Sequence, residues 1–419
     1  MPVIEFEKHA PTSNFGVEDN VLTIGGQKIT DLYERAGGVP LYIYDSALFA
    51  RRAAELRTLF DGHIDLHYAM KANPMPELVR FAADHVDGLD VASGLELDVA
   101  LTSKCPVDEI SFAGPGKTPD ELAKAIDAGI TLNVESKVEL ARIASIASEK
   151  QRTANVALRV NPDFQLKTSG MKMGGGAQQF GIDAEQIPDI LDGWRNGTSP
   201  FNTEYLQFVG FHIYSGSQNL QASALQESQE KTVELAARLA QHAPSPVRAL
   251  NIGGGFGIPY FPGEKPLDTA PLKTHIVELA ATAREKMPDA KLIIELGRYL
   301  VGECGIYVCE VTDKKISRDQ TFLIANGGLH HHLAASGNFG QIIRKNYPVL
   351  VGNRVTSDDN ERASVVGPLC TPLDLLADKM TMSRAEIGDL IVVFQSGAYG
   401  YTASPRDFLS HPAPKQLLV

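Results

Sequence analysis

The sequence lacks the features of several protein classes. No apolar run among its 419 residues reaches the ~18 residues that a membrane-spanning helix requires. Lys and Arg together number 39 against 51 for Asp and Glu, and no local cluster of basic residues offsets this acidic balance. A protein that binds nucleic acid usually presents a basic face. We therefore expect partners that are neither membranes nor nucleic acids.

Cysteine is scarce, and the N-terminus has no secretory character. The four cysteines are too few and too widely spaced for a disulfide framework or a zinc site, which needs ligands in close pairs. They are Cys105, Cys304, Cys309 and Cys370. The first eleven residues carry Glu5, Glu7 and Lys8 in place of a basic stretch followed by an apolar core. These observations predict a cytoplasmic protein without a structural metal.

The middle of the chain repeats one pattern: a short apolar run, a polar or glycine stop, and then a longer stretch with apolar residues at helical spacing. The eight runs are Leu66–Met70, Leu89–Ala92, Ile110–Ala113, Thr131–Val134, Val156–Val160, Val209–Ile213, Ala249–Ile252 and Leu292–Leu296. Eight strand–helix units in roughly 250 residues predict a (β/α)8 barrel. The alternative is a doubly wound sheet, which would need fewer strands and a switch point.

The pattern changes beyond Arg298, where apolar runs alternate with turns and predict a β-rich domain. These runs are Gly305–Val311, Thr321–Ala325, Ser364–Val366 and Leu390–Phe394. Residues 1–40 contain Val21–Ile24 and Gln27–Ile29 around a Gly-Gly turn and are too short to stand alone. We predict that 1–40 join the β-rich domain as strands, that 41–298 form the barrel, and that 299–419 form the β-rich domain.

Functional side chains in such barrels lie where strands end, so the strand ends form one candidate site. They carry Lys71, Asp90, Ser93, Gly114, Lys117, Glu135, Ser136, Arg159, Asn161, His212, Tyr214, Ser217, Gly253–Gly255, Glu295, Gly297 and Arg298. An amine at a strand end, such as that of Lys71, can form an imine with a carbonyl, which is how pyridoxal phosphate is held. The alternative for Lys71 is an ordinary solvated loop lysine.

Two further strand ends fit the same cofactor. The backbone N–H groups of Gly253–Gly255 can face a phosphate, and Arg298 can grip that phosphate with its guanidinium. Glu295 closes an apolar strand, where a carboxylate needs a partner, and a protonated pyridine nitrogen would be one. The alternatives are a plain flexible turn for the glycines and an ion pair with Arg298 or Arg159 for Glu295.

Ordered motifs extend this interpretation into a family resemblance. They are Tyr68-Ala-Met-Lys71-Ala-Asn73, Asp90-Val-Ala-Ser93, Val134-Glu-Ser136, Leu158-Arg-Val-Asn-Pro162, Asn251-Ile-Gly-Gly-Gly-Phe-Gly-Ile-Pro-Tyr260, Glu295-Leu-Gly-Arg-Tyr-Leu300, Gly367-Pro-Leu-Cys370 and Gly397-Ala-Tyr-Gly400. In this order they resemble the fold type III pyridoxal phosphate decarboxylases, which include diaminopimelate and ornithine decarboxylases. The resemblance covers the chain from about residue 40 to the C-terminus and implies an alanine racemase-like TIM barrel with a C-terminal β-rich domain.

The resemblance also implies roles for individual residues. Lys71 would hold the cofactor covalently, Glu295 would pair with the pyridine nitrogen, and Cys370 would be the acid that protonates the product carbon. The phosphate would be held by Gly254, Gly255, Ser217, Arg298 and Tyr399. Other cofactor contacts would be Asp90, Arg159, His212, Tyr214 and Gly297, and the substrate would contact Arg298, Thr371, Asp374 and Tyr399. The family works as a homodimer with shared active sites, in which the cysteine reaches the partner's site.

The chain departs from the family pattern at positions that the resemblance places near the substrate. Diaminopimelate decarboxylases typically follow the cysteine with Glu-Ser-x-Asp, whose glutamate helps to read the far end of the substrate, whereas this chain has Thr371-Pro-Leu-Asp374. Tyr214 stands where the family has a histidine. With Met171-Lys-Met-Gly-Gly-Gly176 and the stretch from Gly328 to Asn338, these residues resemble the exosortase A system-associated pyridoxal-dependent decarboxylases.

The sequence therefore predicts a pyridoxal phosphate decarboxylase acting on an amino acid or an amino-acid conjugate, either free or bound to a carrier protein. One alternative is a diaminopimelate decarboxylase of lysine biosynthesis. Others are a fold-related racemase, which Cys370 argues against, and a catalytically silent homologue that binds a partner protein. We expect His330, His331 and His332 to form a substrate-facing or polar loop and not a metal site. Residues 167–179 are either a lid or a disordered loop.

Overall fold

The computed structural model describes residues 9–10, 14–164, 171–172, 174–341 and 344–419. These residues form two compact units. The β unit comprises Met1–Arg51, Ile258–Pro266 and Arg298–Val419, and the barrel unit comprises Arg52–Gly257 and Leu267–Gly297.

The described residues contain 22 strands and ten α-helices. The strands are β1 (Gly16–Glu18), β2 (Val21–Ile24), β3 (Gln27–Lys28), β4 (Leu41–Tyr44), β5 (Asp65–Ala69), β6 (Gly88–Val91), β7 (Ile110–Phe112), β8 (Thr131–Val134), β9 (Ala154–Asn161), β10 (Met171–Lys172), β11 (Ile182–Asp183), β12 (Leu206–Ile213), β13 (Gly216–Ser217), β14 (Ala249–Asn251), β15 (Lys291–Leu296), β16 (Gly305–Ser317), β17 (Gln320–Ala325), β18 (Val349–Val351), β19 (Asn360–Val366), β20 (Leu375–Ser383), β21 (Leu390–Val393) and β22 (Lys415–Leu418). The helices are α1 (Ile29–Arg35), α2 (Ser46–Phe60), α3 (Pro76–Ala82), α4 (Gly94–Leu101), α5 (Pro119–Ala128), α6 (Lys137–Lys150), α7 (Ile187–Arg195), α8 (Ala222–Ala240), α9 (Leu272–Lys286) and α10 (Arg298–Val301).

Eight parallel strands of the barrel unit close on themselves. In cyclic order they are β5, β6, β7, β8, β9, β12, β14 and β15. The ring closes where β15 pairs with β5, which places Glu295 opposite His67. Each predicted apolar run overlaps one of these strands, so the (β/α)8 prediction is confirmed and the doubly wound sheet is wrong.

Several helices begin directly at strand ends because a serine or threonine caps them. The hydroxyl of Ser93 accepts a hydrogen bond from the backbone N–H of Glu96 at the start of α4, and Ser136 does the same for α6. Thr118 and Glu121 form a reciprocal capping box at α5. Such caps satisfy N–H groups that a helix leaves without partners. Ser93 and Ser136, which the sequence places among the strand-end residues, therefore have a structural use.

The β unit contains an eight-stranded sheet. Six strands run in the order β18, β21, β16, β17, β19 and β20, while β4 pairs with both β16 and β22. The four apolar runs predicted beyond Arg298 fall on β16, β17, β19 and β21, which confirms the β-rich prediction. Near the N-terminus β1, β2 and β3 form a small separate sheet.

One strand predicted near the N-terminus is wrong in part. Residues Gln27–Lys28 are extended, but Ile29 begins helix α1. Ile29, Leu32 and Tyr33 recur at helical spacing and are buried together in the core of the β unit. The helical period of these side chains outweighs the preference of an isolated isoleucine for a strand.

Among the described helices, none has both the length and the apolar content that crossing a bilayer would require.

Candidate active site

Lys71 and Asp90 form an ion pair at the C-terminal end of the barrel strands. Lys71 lies in the 3-10 turn Met70–Ala72, which follows β5 at once, and its Nζ is 3.5 Å from Oδ2 of Asp90. Asp90 is fully buried, and its Oδ1 accepts a hydrogen bond of 3.1 Å from the hydroxyl of Ser111. Burial, reinforced by the charge of Glu295, raises the pKa of Asp90 to about 6.

Glu295 is the second buried carboxylate of the barrel. Its Oε1 accepts a hydrogen bond from the amide of Asn251, and its Oε2 lies 3.4 Å from Nε2 of His212. Burial alone would raise the pKa of Glu295, but the interactions with His212 and Lys71 outweigh it and hold the pKa at about 2. As the pH falls, Asp90 is therefore protonated before Glu295.

Arg159 does not pair with Glu295, as one alternative suggested. Its guanidinium Nη1 binds Oε1 of Glu135 at 2.5 Å. Glu135 also accepts hydrogen bonds from the backbone N–H groups of Gly114 at 2.7 Å and Gly181 at 2.8 Å. Burial would raise the pKa of Glu135, yet Arg159 outweighs it and the pKa is lowered. The pair ties the ends of β8 and β9 together, and the predicted contact of Arg159 with a cofactor stays a prediction.

The glycine turn after β14 is anchored and closely packed. Gly253 and Gly255 have φ values of +73° and +85°, which other residues rarely adopt. A Cβ on Gly254 would lie 2.0 Å from the carbonyl oxygen of Glu295. The side-chain oxygen of Asn251 accepts a 2.9 Å hydrogen bond from the N–H of Gly253. The backbone of this turn is therefore held in a defined conformation by its neighbours.

The neighbouring strand end carries His212, Tyr214 and Ser217. His212 is buried; its Nε2 contacts Glu295, and its Nδ1 makes no hydrogen bond in the part of the chain that the structure describes. A Cβ on Gly253 would lie 2.9 Å from the ring of Tyr214, so that ring packs directly over the glycine turn. Ser217 lies in β13 and pairs with Met171 of β10. His212 and the turn consequently share one end of the barrel.

Two more predicted features lie at this end. A Cβ on Gly297 would lie 2.9 Å from the carbonyl oxygen of Ala69, so the chain leaving β15 passes close to β5. Asn161 binds the glycine-rich loop, with its amide donating to the carbonyl of Gly176 at 2.8 Å and its oxygen accepting from Gly175 at 3.0 Å. Of the predicted lid, residues 167–179, positions 167–170 and 173 lie outside the described residues.

Arg298 lies within the β unit between two tyrosine rings. Its guanidinium carbon is 5.4 Å from the ring centroid of Tyr260 and 5.0 Å from that of Tyr399. Burial alone would lower the pKa of Arg298, but the neighbouring tyrosines outweigh it and the pKa is raised. Tyr399 has a φ of +60°, an unusual conformation for a tyrosine. Arg298 is therefore a cation held in a fixed position.

Cys370 is exposed on a turn that Asp374 anchors. The carboxylate of Asp374 is buried, and its two oxygens accept backbone hydrogen bonds from Leu329 at 2.5 Å and Leu369 at 2.8 Å. A Cβ on Gly328 would lie 2.1 Å from the same carboxylate. The structure thus assigns Asp374 the task of shaping the turn, while the predicted substrate contacts of Thr371 and Asp374 stay predictions.

The three consecutive histidines are buried in the β unit. His331 binds the hydroxyl of Tyr307 and the carbonyl of Pro412, each at 2.9 Å, and His332 binds the hydroxyl of Ser396 at 2.9 Å. Burial lowers the pKa of His330 and His332 to about 3 and that of His331 to about 4. No group of side chains able to hold a metal ion occurs in the described part of the chain.

Sequence reasoning missed two residues of the site, Ser111 and Asn251. Each is the hydrogen-bond donor to one of the buried carboxylates. The available signal was a polar residue inside an otherwise apolar strand: Ser111 in Ile-Ser-Phe and Asn251 in Ala-Leu-Asn. A buried polar side chain needs a partner, so each marks a neighbouring polar group.

Comparison with known proteins identifies the family to which this chain belongs. The family model described as pyridoxal-dependent decarboxylase, pyridoxal binding domain, matches residues 46–302. This chain belongs to the pyridoxal-dependent decarboxylases. It is 36% identical over 384 residues to an L-glutamyl-[BtrI acyl-carrier protein] decarboxylase of Niallia circulans, covering 90% of this chain and 88% of that protein.

Further relatives are diaminopimelate decarboxylases. That of Aquifex aeolicus is 32% identical over 403 residues, covering 96% of this chain and 91% of that protein. The crystal structure of the M. jannaschii diaminopimelate decarboxylase with L-lysine superposes with a TM-score of 0.85 at 27% identity, covering 97% of this chain and 93% of that one. The protein is a decarboxylase that depends on pyridoxal phosphate and acts on amino acids.

The residues of the barrel unit fit pyridoxal phosphate. The glycine turn presents backbone without side chains, and a Cβ on Gly254 would clash with the carbonyl oxygen of Glu295. Lys71 supplies an amine beside a buried carboxylate, and Glu295 supplies a charged carboxylate where an apolar strand ends. Within the described residues, Nδ1 of His212 makes no hydrogen bond. A cofactor with a phosphate, a carbonyl and a basic ring nitrogen would use all of these groups.

Proposed function

We propose that this decarboxylase removes the α-carboxylate of an amino acid whose side chain is extended by an uncharged link, such as an amide or a carrier-protein thioester. The sequence similarity to a decarboxylase of a carrier-bound glutamyl group supports this substrate class. The observation that carries the proposal is the turn after Cys370.

This turn offers no carboxylate to a substrate. Thr371, Pro372 and Leu373 are uncharged, and Leu373 is exposed. Both carboxylate oxygens of the next residue, Asp374, accept hydrogen bonds from backbone N–H groups inside the β unit. A distal ammonium that loses a buried charged partner typically forfeits ~2–5 kcal/mol, which is about 30-fold or more in specificity. A neutral extension has no such requirement.

The proposed site residues would then have the following roles. Lys71 would hold the cofactor covalently, and Asp90, whose carboxylate lies 3.5 Å from its amine, would orient that amine. The N–H groups of Gly254 and Gly255, with Ser217, Arg298 and Tyr399, would bind the phosphate. His212 and Tyr214 would contact the cofactor as well. When bound, pyridoxal phosphate accepts the electron pair that the departing carboxylate leaves behind.

Glu295 supplies the charge that this chemistry needs. Its low pKa keeps it ionised across the physiological pH range, so it can hold a proton on the pyridine nitrogen. Asn251 and His212 fix the carboxylate from two sides. Because these partners are already in place, the charge is oriented before the substrate binds.

We also propose that the protein works as a homodimer with shared active sites. The exposed thiol of Cys370 then serves as the acid that protonates the product carbon in the partner subunit's site. The motifs around Thr371 and Gly328 support membership in the exosortase-associated subgroup. The cytoplasmic location expected from the N-terminal sequence stays a prediction.

Carbon dioxide release tests the substrate class. The panel comprises meso-diaminopimelate, free L- and D-diamino acids, glutamate, and a glutamyl group bound to a carrier protein. We expect the carrier-bound or amide-extended substrates to be preferred, and the variant Thr371→Glu to gain activity on diaminopimelate relative to the wild type. Diaminopimelate turnover by the wild type with kcat/KM of ~10⁴ M⁻¹s⁻¹ or more would overturn the proposal in favour of a diaminopimelate decarboxylase.

A further inference from the structure

A partly open cavity, lined by both apolar and polar side chains, lies in the barrel on the N-terminal side of the two site carboxylates. It has a volume of about 110 Å³ and is lined by His67, Glu109, Ser111, Asn133, Asn251 and Lys291, among others. Lys291 and Thr131 open their strands, so this is the N-terminal end of the barrel. We call it the floor cavity. Barrels of this type normally fill their interior with layers of side chains.

The floor cavity is lined by buried polar atoms that make no hydrogen bond within the described residues. In the described part of the chain, the two ring nitrogens of His67 make no hydrogen bond, and the amide nitrogen of Asn133 makes none either. His67 is 3% exposed and Asn133 2%. Buried polar groups are nearly always hydrogen-bonded, and a water molecule needs only ~10–15 Å³ of such space. The volume therefore has room for several water molecules, and the lining supplies the polar atoms to bind them.

Two side chains that line the floor cavity also donate hydrogen bonds to the site carboxylates. Ser111 lines the cavity and donates to Asp90 at 3.1 Å, while Asn251 lines it and donates to Glu295. His67 also pairs in register with Glu295 across β5 and β15. Water in the cavity would thus touch the side chains that hold both carboxylates.

The charged groups around His67 are of both signs. Oε2 of Glu109 lies 3.5 Å from its Nε2, and Lys291 binds Glu109 at 2.7 Å and also pairs with Asp65. Asp108 lines the cavity as well. On the side of the active site, the charged or titratable groups are Asp90, Glu295, His212 and Lys71. Because groups of both signs surround the cavity, it does not resemble a site for a single cation or anion. Water can bind to groups of either sign.

We propose that the floor cavity is filled with water and that His67 is a positioning residue that acts through this water on Asp90 and Glu295, favouring the ionised form of these carboxylates. Polar contacts and a nearby imidazole favour the charged form of a buried carboxylate, whereas an apolar floor would favour the protonated form. His67 contacts neither substrate nor cofactor in this role. The inference rests on the site proposed above.

The first test uses the protein free of cofactor and substrate, so it is independent of activity. A high-resolution crystal structure should show ordered water within hydrogen-bond reach of His67 and Asn133. Infrared titration should follow the protonation of the two carboxylates, with Asp90→Asn and Glu295→Gln to assign the bands. In His67→Phe we expect the midpoint to rise by about one pH unit, a tenfold gain in proton affinity. His67→Gln, which can still bind water, should stay close to the wild type.

Cavity filling provides a second test that leaves His67 in place. Ala157 lines the cavity, and Ala157→Val should displace water and raise the same midpoint. Val156→Ile on the same strand adds volume to a buried side chain outside the cavity lining and serves as the matched control. In the loaded enzyme, the pH dependence of the cofactor absorbance should shift with His67→Phe and Ala157→Val but not with the control.

Three results would overturn the proposal. One is a dry cavity in the crystal structure, and another is an infrared midpoint in His67→Phe within about 0.2 unit of the wild type. The third is an equal shift in His67→Gln and His67→Phe, which would exclude a route through water. Because the infrared titration uses protein without cofactor, the cavity proposal and the proposed site can each fail independently of the other.

Discussion

The barrel unit and the β unit each bury a cluster of titratable side chains, and the two clusters are in opposite states. In the barrel, Glu295 is charged because His212, Asn251 and Lys71 compensate its burial. In the β unit, burial keeps His332 neutral, and its bond to the hydroxyl of Ser396 is one that a neutral ring can make.

The difference shows what decides whether a buried group keeps its charge. Burial disfavours the charged form in both clusters, since it removes water from the group. Only the barrel supplies opposite charges close enough to reverse that effect. A charge kept in this way is available for chemistry, whereas the neutral histidines contribute to packing and stability.

The largest expected effect lies at the amine of the barrel cluster. Lys71→Arg keeps a positive charge near Asp90 but cannot form the covalent bond to the cofactor, so kcat should fall by ~10³-fold or more. Wild-type protein should be yellow, absorbing above roughly 400 nm, and borohydride should fix the cofactor on Lys71. A wild-type protein that stays colourless with added pyridoxal phosphate would contradict this role.

The next effect concerns the charge of Glu295. Glu295→Gln keeps the shape and removes the charge, so turnover should fall by about 10²-fold or more while cofactor retention changes little. Glu139→Gln is the matched control, because Glu139 is another buried barrel carboxylate, paired with Lys117 at 2.7 Å. That control should lose stability and keep its kcat. Equal kcat values for Glu295→Gln and the wild type would rule out the charge as a catalytic element.

The smallest expected effect concerns His332, a neutral histidine of the β unit, and the pH dependence of stability. Burial lowers the pKa of His332 to about 3, below its ordinary value of 6.5. The stability that this neutral ring contributes is therefore complete above pH 6.5 and is lost as the pH falls toward 3. In His332→Gln, the slope of the free energy of unfolding between pH 4 and 6 should be smaller by about 1.4 kcal/mol per pH unit. Denaturant titrations of the apoprotein measure this slope, and parallel slopes for both proteins would contradict the burial argument.

Much of the barrel site was predictable because it follows from local patterns. A run of apolar residues closed by a polar residue marks a strand end, and the ends of parallel strands meet at one edge. Lys71, Asp90 and Glu295 could therefore be grouped before any pairing was known. The β-rich character of the second unit followed in the same way from Gly305–Val311 and Leu390–Phe394.

The sequence by itself determined the number and order of the barrel strands, the residues at their ends and the family motifs, since these depend on neighbours along the chain. The tertiary structure decided which polar groups meet: Ser111 with Asp90, Asn251 with Glu295, Arg159 with Glu135. These partners are 21, 44 and 24 residues apart. Such contacts depend on strand register and burial, which arise only when the barrel closes. For the same reason the neutral state of His330–His332 and the inward turn of Asp374 could not be predicted from composition or spacing.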